Sequence, residues 1–208
     1  MGEELEKWPA WAEKALQGLA FWIGHRHALY RDYPLSEGAL VAEACNLIYA
    51  NLEHGAVLLC EKQYSRLLPV GLWPERLGLR SRADLVVASD ITKAEADESD
   101  SLVPYAKAVI EVKRGSAPRE QIDDDLRRLA VLKAANPNVR ALLFVVSEAR
   151  RPQRFVSAEG RAILGKHDIP ASGSHYRVRR ACKAAAAFSG TETAHYACII
   201  EVFNGPKT

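Results

Sequence analysis

Ala108-Val109-Ile110-Glu111-Val112-Lys113 reads as an apolar strand that ends in charge. Alternate side chains of a strand point to opposite faces. Ala108, Ile110 and Val112 therefore share one face, and Glu111 and Lys113 share the other. An acid and a lysine at the end of an apolar strand cost free energy to bury unless each has a partner. Upstream, Arg82-Ala83-Asp84-Leu85-Val86-Val87 reads as a second strand with its own acid. One aspartate, with Glu-x-Lys on a neighbouring strand, is an arrangement that can hold a divalent metal ion and a water.

The flanking sequence alternates helical and extended patterns. Residues 4–30 predict a helix whose apolar face includes Trp8, Trp11, Leu16, Leu19, Trp22 and Ile23, with Pro9 in its first turn. This aromatic face is expected to pack on the core, on a second copy or on a partner protein. Pro34 then breaks the chain, and Ser36 offers an N-cap for a helix over 37–53. Leu40, Ala44, Leu47 and Ile48 form its buried stripe. Residues 56–61 predict the first strand, 82–88 the second, 106–113 the third and 141–146 a fourth. The fourth is apolar throughout, as in the interior of a sheet. The acidic stretch 89–103 reads as a mobile surface loop. A helix over 118–135 buries Ile122, Leu126, Leu129, Ala130 and Leu132, leaving Arg127 and Arg128 on its exposed face. Further on, 158–164 and 181–188 read as short helices and 196–203 as a final strand. The order predicts an α/β fold, with a central mixed four- to five-stranded sheet flanked by helices.

The chain has 208 residues, 48% hydrophobic and 26% charged, enough for one sizeable core. Residues 1–33 read as an added helical segment and 34–208 as the main domain. A net charge of +2 neither demands nor excludes nucleic acid, so any basic surface is local. The four cysteines form no C-x-x-C pair, which argues against a zinc site of the usual spacing. Cys45 and Cys198 read as small core residues. No stretch approaches ~18 apolar residues, and no secretory leader is legible, so a reduced cytoplasmic setting off the membrane is expected. His25 and His27 lack a third ligand, and no phosphate-binding G-x-x-x-x-G-K-[ST] loop is present.

Hard divalent cations take oxygen ligands, and magnesium commonly uses one or two carboxylates beside several waters. Asp84 and Glu111 supply such a pair, with the carbonyl of Val112 as a further ligand. Lys113 can orient or deprotonate an attacking water, or stabilise charge in the transition state. A third acid is expected from the preceding helix. Glu37 lies close to the buried stripe, while Glu43 sits about 100° from its centre and is the alternative.

These residues resemble the PD-(D/E)xK nuclease superfamily, which has the restriction-endonuclease-like fold. The resemblance covers about residues 36–147 and rests on Arg82–Val87, Ile110–Lys113 and the helix Gln121-Ile122-Asp123-Asp124-Asp125-Leu126-Arg127-Arg128-Leu129. It implies that Asp84 and Glu111 bind Mg2+ or Mn2+ and that Lys113 is the catalytic lysine. It places the helix acid on Glu37 or Glu43, a further acid on Glu61 and an accessory role on Gln121. Ala83 stands where the family commonly has proline, and the acidic stretch lengthens the spacing from Asp84 to Glu111.

Nucleic acid needs local positive charge. Arg114 and Arg119 flank the site. Arg150, Arg151 and Arg154 form one further cluster, and Arg177, Arg179, Arg180 and Lys183 another, the latter after Tyr176, which can stack on a base. The expectation is a Mg2+-dependent endonuclease acting on DNA, in defence, restriction or repair, in some cases as a homodimer. The alternative is a non-catalytic nucleic-acid-binding or assembly module that keeps the nuclease fold.

Overall fold

The alternation along Ala108–Lys113 divides the core in two. The computed structural model of the chain describes residues 8–69, 72, 81–188 and 194–205. Helices α1 (Ala10–Tyr30) and α2 (Glu37–Tyr49) precede strand β1 (Ala56–Gln63). Strand β2 (Arg82–Ser89), the short helix α3 (Lys93–Glu98), β3 (Ala106–Arg114), α4 (Arg119–Ala135) and β4 (Arg140–Ser147) follow. The chain ends with β5 (His167–Asp168), β6 (His175–Lys183) and β7 (Tyr196–Phe203). Among the described residues the seven strands form one sheet in the order β1-β2-β3-β4-β7-β6-β5. Only β3 and β4 are parallel, joined through α4.

Ala108, Ile110 and Val112 pack with Leu142 and Phe144 of β4 under α1 and α2, whose Leu16, Leu19, Leu40 and Ile48 are buried there. Val109, Leu143 and Val145 turn the other way, against Ile122, Leu126 and Leu129 of α4. Both faces of the central strands are thus covered, which explains their nearly continuous apolar sequence. Helix α1 lies against α2 through Gly18, where a Cβ would stand 2.6 Å from Leu47 Cδ2. No described helix is long and apolar enough to cross a membrane.

Several expectations need correction. The sheet has seven strands, not four to five. Helix α1 begins at Ala10, residues 4–7 lying outside the described ones, and α2 ends at Tyr49 rather than 53. The acidic stretch is not a loop throughout. Thr92 and Glu95 form a capping box for α3, and Arg66 Nη2 donates to the Ala96 carbonyl at 2.5 Å. Residues 158–164 form no helix; an isolated bridge links Val156 to Ala162. The stretch 181–188 is mostly not helical either. Ala181 and Cys182 extend β6 by pairing with Cys198 and Ala197, so strand pairing overrides the helix propensity of alanine. Only a single turn of 3-10 helix follows, at Ala186–Phe188.

Candidate functional site

The site forms where β2 and β3 part. Their pairing runs from Ala88↔Ala106 to Leu85↔Ile110. One residue further the Asp84 side chain takes over from the backbone, and its Oδ2 accepts the Val112 N–H at 2.7 Å. Val112 thus enters the site through its amide. On the other side of β2, Glu61 of β1 stands level with Asp84 in a left-handed conformation, φ 54°. That conformation strains a non-glycine residue. Here it interrupts the β1–β2 ladder beside the acid.

Glu111 points to the α4 face and is almost fully buried. Its Oε1 accepts a 2.6 Å hydrogen bond from the Tyr64 hydroxyl. Arg128 Nε of α4 lies 3.7 Å from the same oxygen. Burial, reinforced by the charge of Asp84, pushes the Glu111 carboxyl up to about 8, against the pull of Arg128, Tyr64 and Lys113. Burial also raises the Asp84 carboxyl, although the Val112 amide and Lys113 favour its anion. The Tyr64 hydroxyl is held well above its ordinary value by burial and by the neighbouring Glu111.

Lys113 Nζ donates to Glu37 Oε1 at 2.6 Å and lies 3.5 Å from Asp125 Oδ2. Glu37 opens α2, one residue after the Ser36 cap, whose side chain accepts from the Ala39 N–H. It therefore projects from the end of the helix toward the end of β3. Asp125 is buried in α4 and also pairs with Arg128. The lysine at the strand end is consequently partnered by two acids, while burial holds Glu111 toward its neutral form.

Of the two helix acids, Glu37 is the one that reaches Lys113. Glu37, Glu61 and Asp84 line one concavity of about 480 Å3, together with Cys45 and Cys60. The Cys45 and Cys60 sulfurs stand 3.6 Å apart, and burial, with the nearby Cys45, pushes the Cys60 thiol up to about 11. Cys198 is buried in the core, while Cys45 is only half-buried beside this concavity.

Other expected residues lie elsewhere. Gln121 is exposed on the first turn of α4. Arg119 is largely exposed and pairs with Asp123 at 3.7 Å. Arg114 Nη1 donates to the Leu35 carbonyl at 3.0 Å and ties the segment before α2 to β3. Arg177, Arg179 and Arg180 sit on β6, the third strand from β3. Arg179 pairs with Glu201 at 3.2 Å and covers Trp8, Arg180 pairs with Glu13 at 2.5 Å, and Arg177 covers Phe203. Tyr176 is buried and accepts from Arg154 Nε at 3.1 Å, so its ring is no open stacking platform.

Tyr64, Asp125 and Arg128 join the site beyond the residues the sequence assigns to it, and Arg128 turns inward to Glu111 and Asp125 rather than lying on the exposed face of its helix. The spacing of α4 held the clue. Asp125 falls between Ile122 and Leu129 at i+3 and i+7, on the buried stripe itself. Arg128 follows it by three residues, within pairing reach. Tyr64 left no comparable signal, because it arrives by a turn of 3-10 helix after β1.

The carboxyl pair has the donor chemistry of a magnesium or manganese site, since one or two carboxylates with waters suffice. Among the described residues no group of three or more His, Cys, Asp or Glu side chains stands ready to hold a metal ion. Glu37, the third acid, is engaged by Lys113 instead. Comparison with known proteins finds no match among family models, curated proteins or solved structures.

Proposed function

We propose that the chain is a metal-dependent nuclease that hydrolyses phosphodiester bonds in DNA, built on a restriction-endonuclease-like core. The supporting observation is the juxtaposition of Asp84 with the buried Glu111 where two strands part, next to a lysine held by Glu37 and Asp125. The resemblance of Arg82–Val87 and Ile110–Lys113 to the PD-(D/E)xK pattern supports the same reading.

In this reading Asp84 and Glu111 hold the cation through carboxylate oxygens. When bound, the cation supplies an acidified water and polarises a phosphoryl oxygen. Glu111 must give up its proton first, so it becomes a better ligand as pH rises through about 8. Tyr64 and Arg128 orient Glu111. Lys113 keeps a positive charge beside the reacting phosphate and orients the water, while Glu37 and Asp125 fix the position of its amino group.

The test is cleavage of plasmid and single-stranded DNA with Mg2+ or Mn2+, wild type beside Lys113→Ala. The variant is expected to lose at least about a hundredfold in rate. Equal cleavage by both proteins removes Lys113 from the chemistry. The second reading, a non-catalytic binding or assembly module, is favoured by one observation: Glu37 and Lys113 satisfy each other, and among the described residues no group of three ligating side chains is assembled for a metal ion. Absence of cleavage of DNA and RNA under every metal condition would select it.

A further inference from the structure

On the sheet face covered by α4, a second concavity of about 840 Å3 opens beside the first turn of the helix. Arg119, Arg151, Arg154 and His167 line it, over a floor that includes Phe155 and Tyr176. Its volume falls within the range of small-molecule sites. Asp125, one turn beyond Ile122 on α4, belongs to the carboxylate site, so the N-terminal half of the helix runs between the two places.

Three features of this cavity match an anion joined to a flat ring. First, three arginines line it, Arg119, Arg151 and Arg154, with the Glu159 carboxylate near enough to Arg151 to feel its charge. Asp123 takes Arg154 Nη2 at 2.6 Å and Arg119 Nε at 3.7 Å, and Asp168 lines the rim. Second, hydrogen-bonding capacity is left over in buried positions. Arg154 commits Nε to Tyr176 and Nη2 to Asp123, but its Nη1 is buried with no hydrogen-bond partner, and so is His167 Nε2. A buried polar atom without a partner is costly, and a ligand group that reached it through a side-chain shift would relieve it. Third, α4 begins at Arg119, and Pro118 before it supplies no side-chain cap, beside Ala117 of the cavity wall. An uncapped helix start favours negative charge. Beside these charges His167 stacks on Tyr176 at 5.0 Å between centroids, and Phe155 packs edge-on against Tyr176 in turn.

We propose that this cavity binds a phosphorylated nucleoside, its phosphate near Arg151, Arg154 and the start of α4 and its base against the His167 ring. Two sources share this chemistry: a free mononucleotide, or one unit of a nucleic-acid strand lying across α4. The site goes beyond the cleavage reading and is measured without it.

Binding is followed on the full chain in EDTA, where no metal-dependent cleavage occurs, by calorimetry and fluorescence anisotropy. The probes are the 5′-mononucleotides, a short single-stranded oligonucleotide and inorganic phosphate. Saturable binding of a mononucleotide, weakened about tenfold by Arg151→Gln or His167→Ala, supports the site with the free nucleotide as ligand. Binding of the oligonucleotide alone, weakened to the same extent, supports the strand as the source. Arg119→Gln changes an exposed side chain without threatening the fold, so its weakening of either ligand is the control for misfolding. The proposal is overturned if neither probe binds saturably. It is also overturned if all three variants bind as the wild type does, or if inorganic phosphate binds as well as any nucleotide. Loss of cleavage in Lys113→Ala bears on the carboxylate site and not on this result.

Discussion

Replacing Glu111 by Gln should change how stability depends on pH. Glu111 is nearly fully buried, and its carboxyl stays protonated to about pH 8 in the folded chain, against an ordinary value of 4.5. Between those values the folded protein holds a proton that the unfolded chain has released. The raised carboxyl therefore contributes stability that is full below about pH 4.5 and is lost as pH rises through about 8. Each pH unit in that window removes about 1.4 kcal/mol, on the order of 5 kcal/mol across it. Asp84, raised by burial, adds to the loss with the same sign. Glutamine keeps an acceptor for the Tyr64 hydroxyl but has no proton to lose. Urea unfolding in EDTA at a series of pH values, wild type beside Glu111→Gln, measures the difference. The wild type should lose stability relative to the variant as pH rises, with the gap levelling off above about 8. Parallel curves would refute a buried, protonated Glu111. Added Mg2+ should restore stability to the wild type at high pH and leave the variant nearly unchanged, because the cation competes with the proton for the same carboxyl.

Three other perturbations follow from the same geometry. Asp84→Ala leaves the Val112 N–H without its 2.7 Å acceptor and should cost about 1–3 kcal/mol in denaturant unfolding. Phe144→Ala empties a fully buried position between β4 and the α1–α2 layer, so a loss of about 3–5 kcal/mol is expected from the same assay. Cys45 and Cys60, 3.6 Å apart, should form a disulfide with glutathione disulfide as oxidant, read as the loss of two hydrogens by mass spectrometry. Cys198, buried in the core, should keep its thiol under the same treatment.

The central strands were legible because both their faces are buried. Ala108–Lys113 and 141–146 carry apolar runs that admit few other structures, and their facing follows from parity alone. Strand β6 was missed for the opposite reason. Its Tyr176 and Val178 alternate with Arg177 and Arg179, but a register shift between Val178 and Arg180 breaks the period, and alanines follow. The short α3 was readable, since Thr92-Lys93-Ala94-Glu95 is a capping-box pattern, yet the acidic composition masked it. At the site, Asp84, Glu111 and Lys113 stood out as charges on apolar strands. Asp125 and Tyr64 did not, because an acid on a helix and a tyrosine after a strand acquire meaning only from what the fold brings beside them.

The bonds that define the site join distant parts of the chain. Glu37 and Lys113 are 76 residues apart, Tyr64 and Glu111 47, and Asp84 and Val112 28. Each contact closes a long loop and cannot hold until the strands between have paired. No helix or hairpin excised from the chain carries the arrangement in miniature. On refolding, the Lys113–Glu37 pair should appear no earlier than the pairing of β1, β2 and β3. A cut placed between Glu37 and Lys113 would preserve it only if the two pieces found each other again.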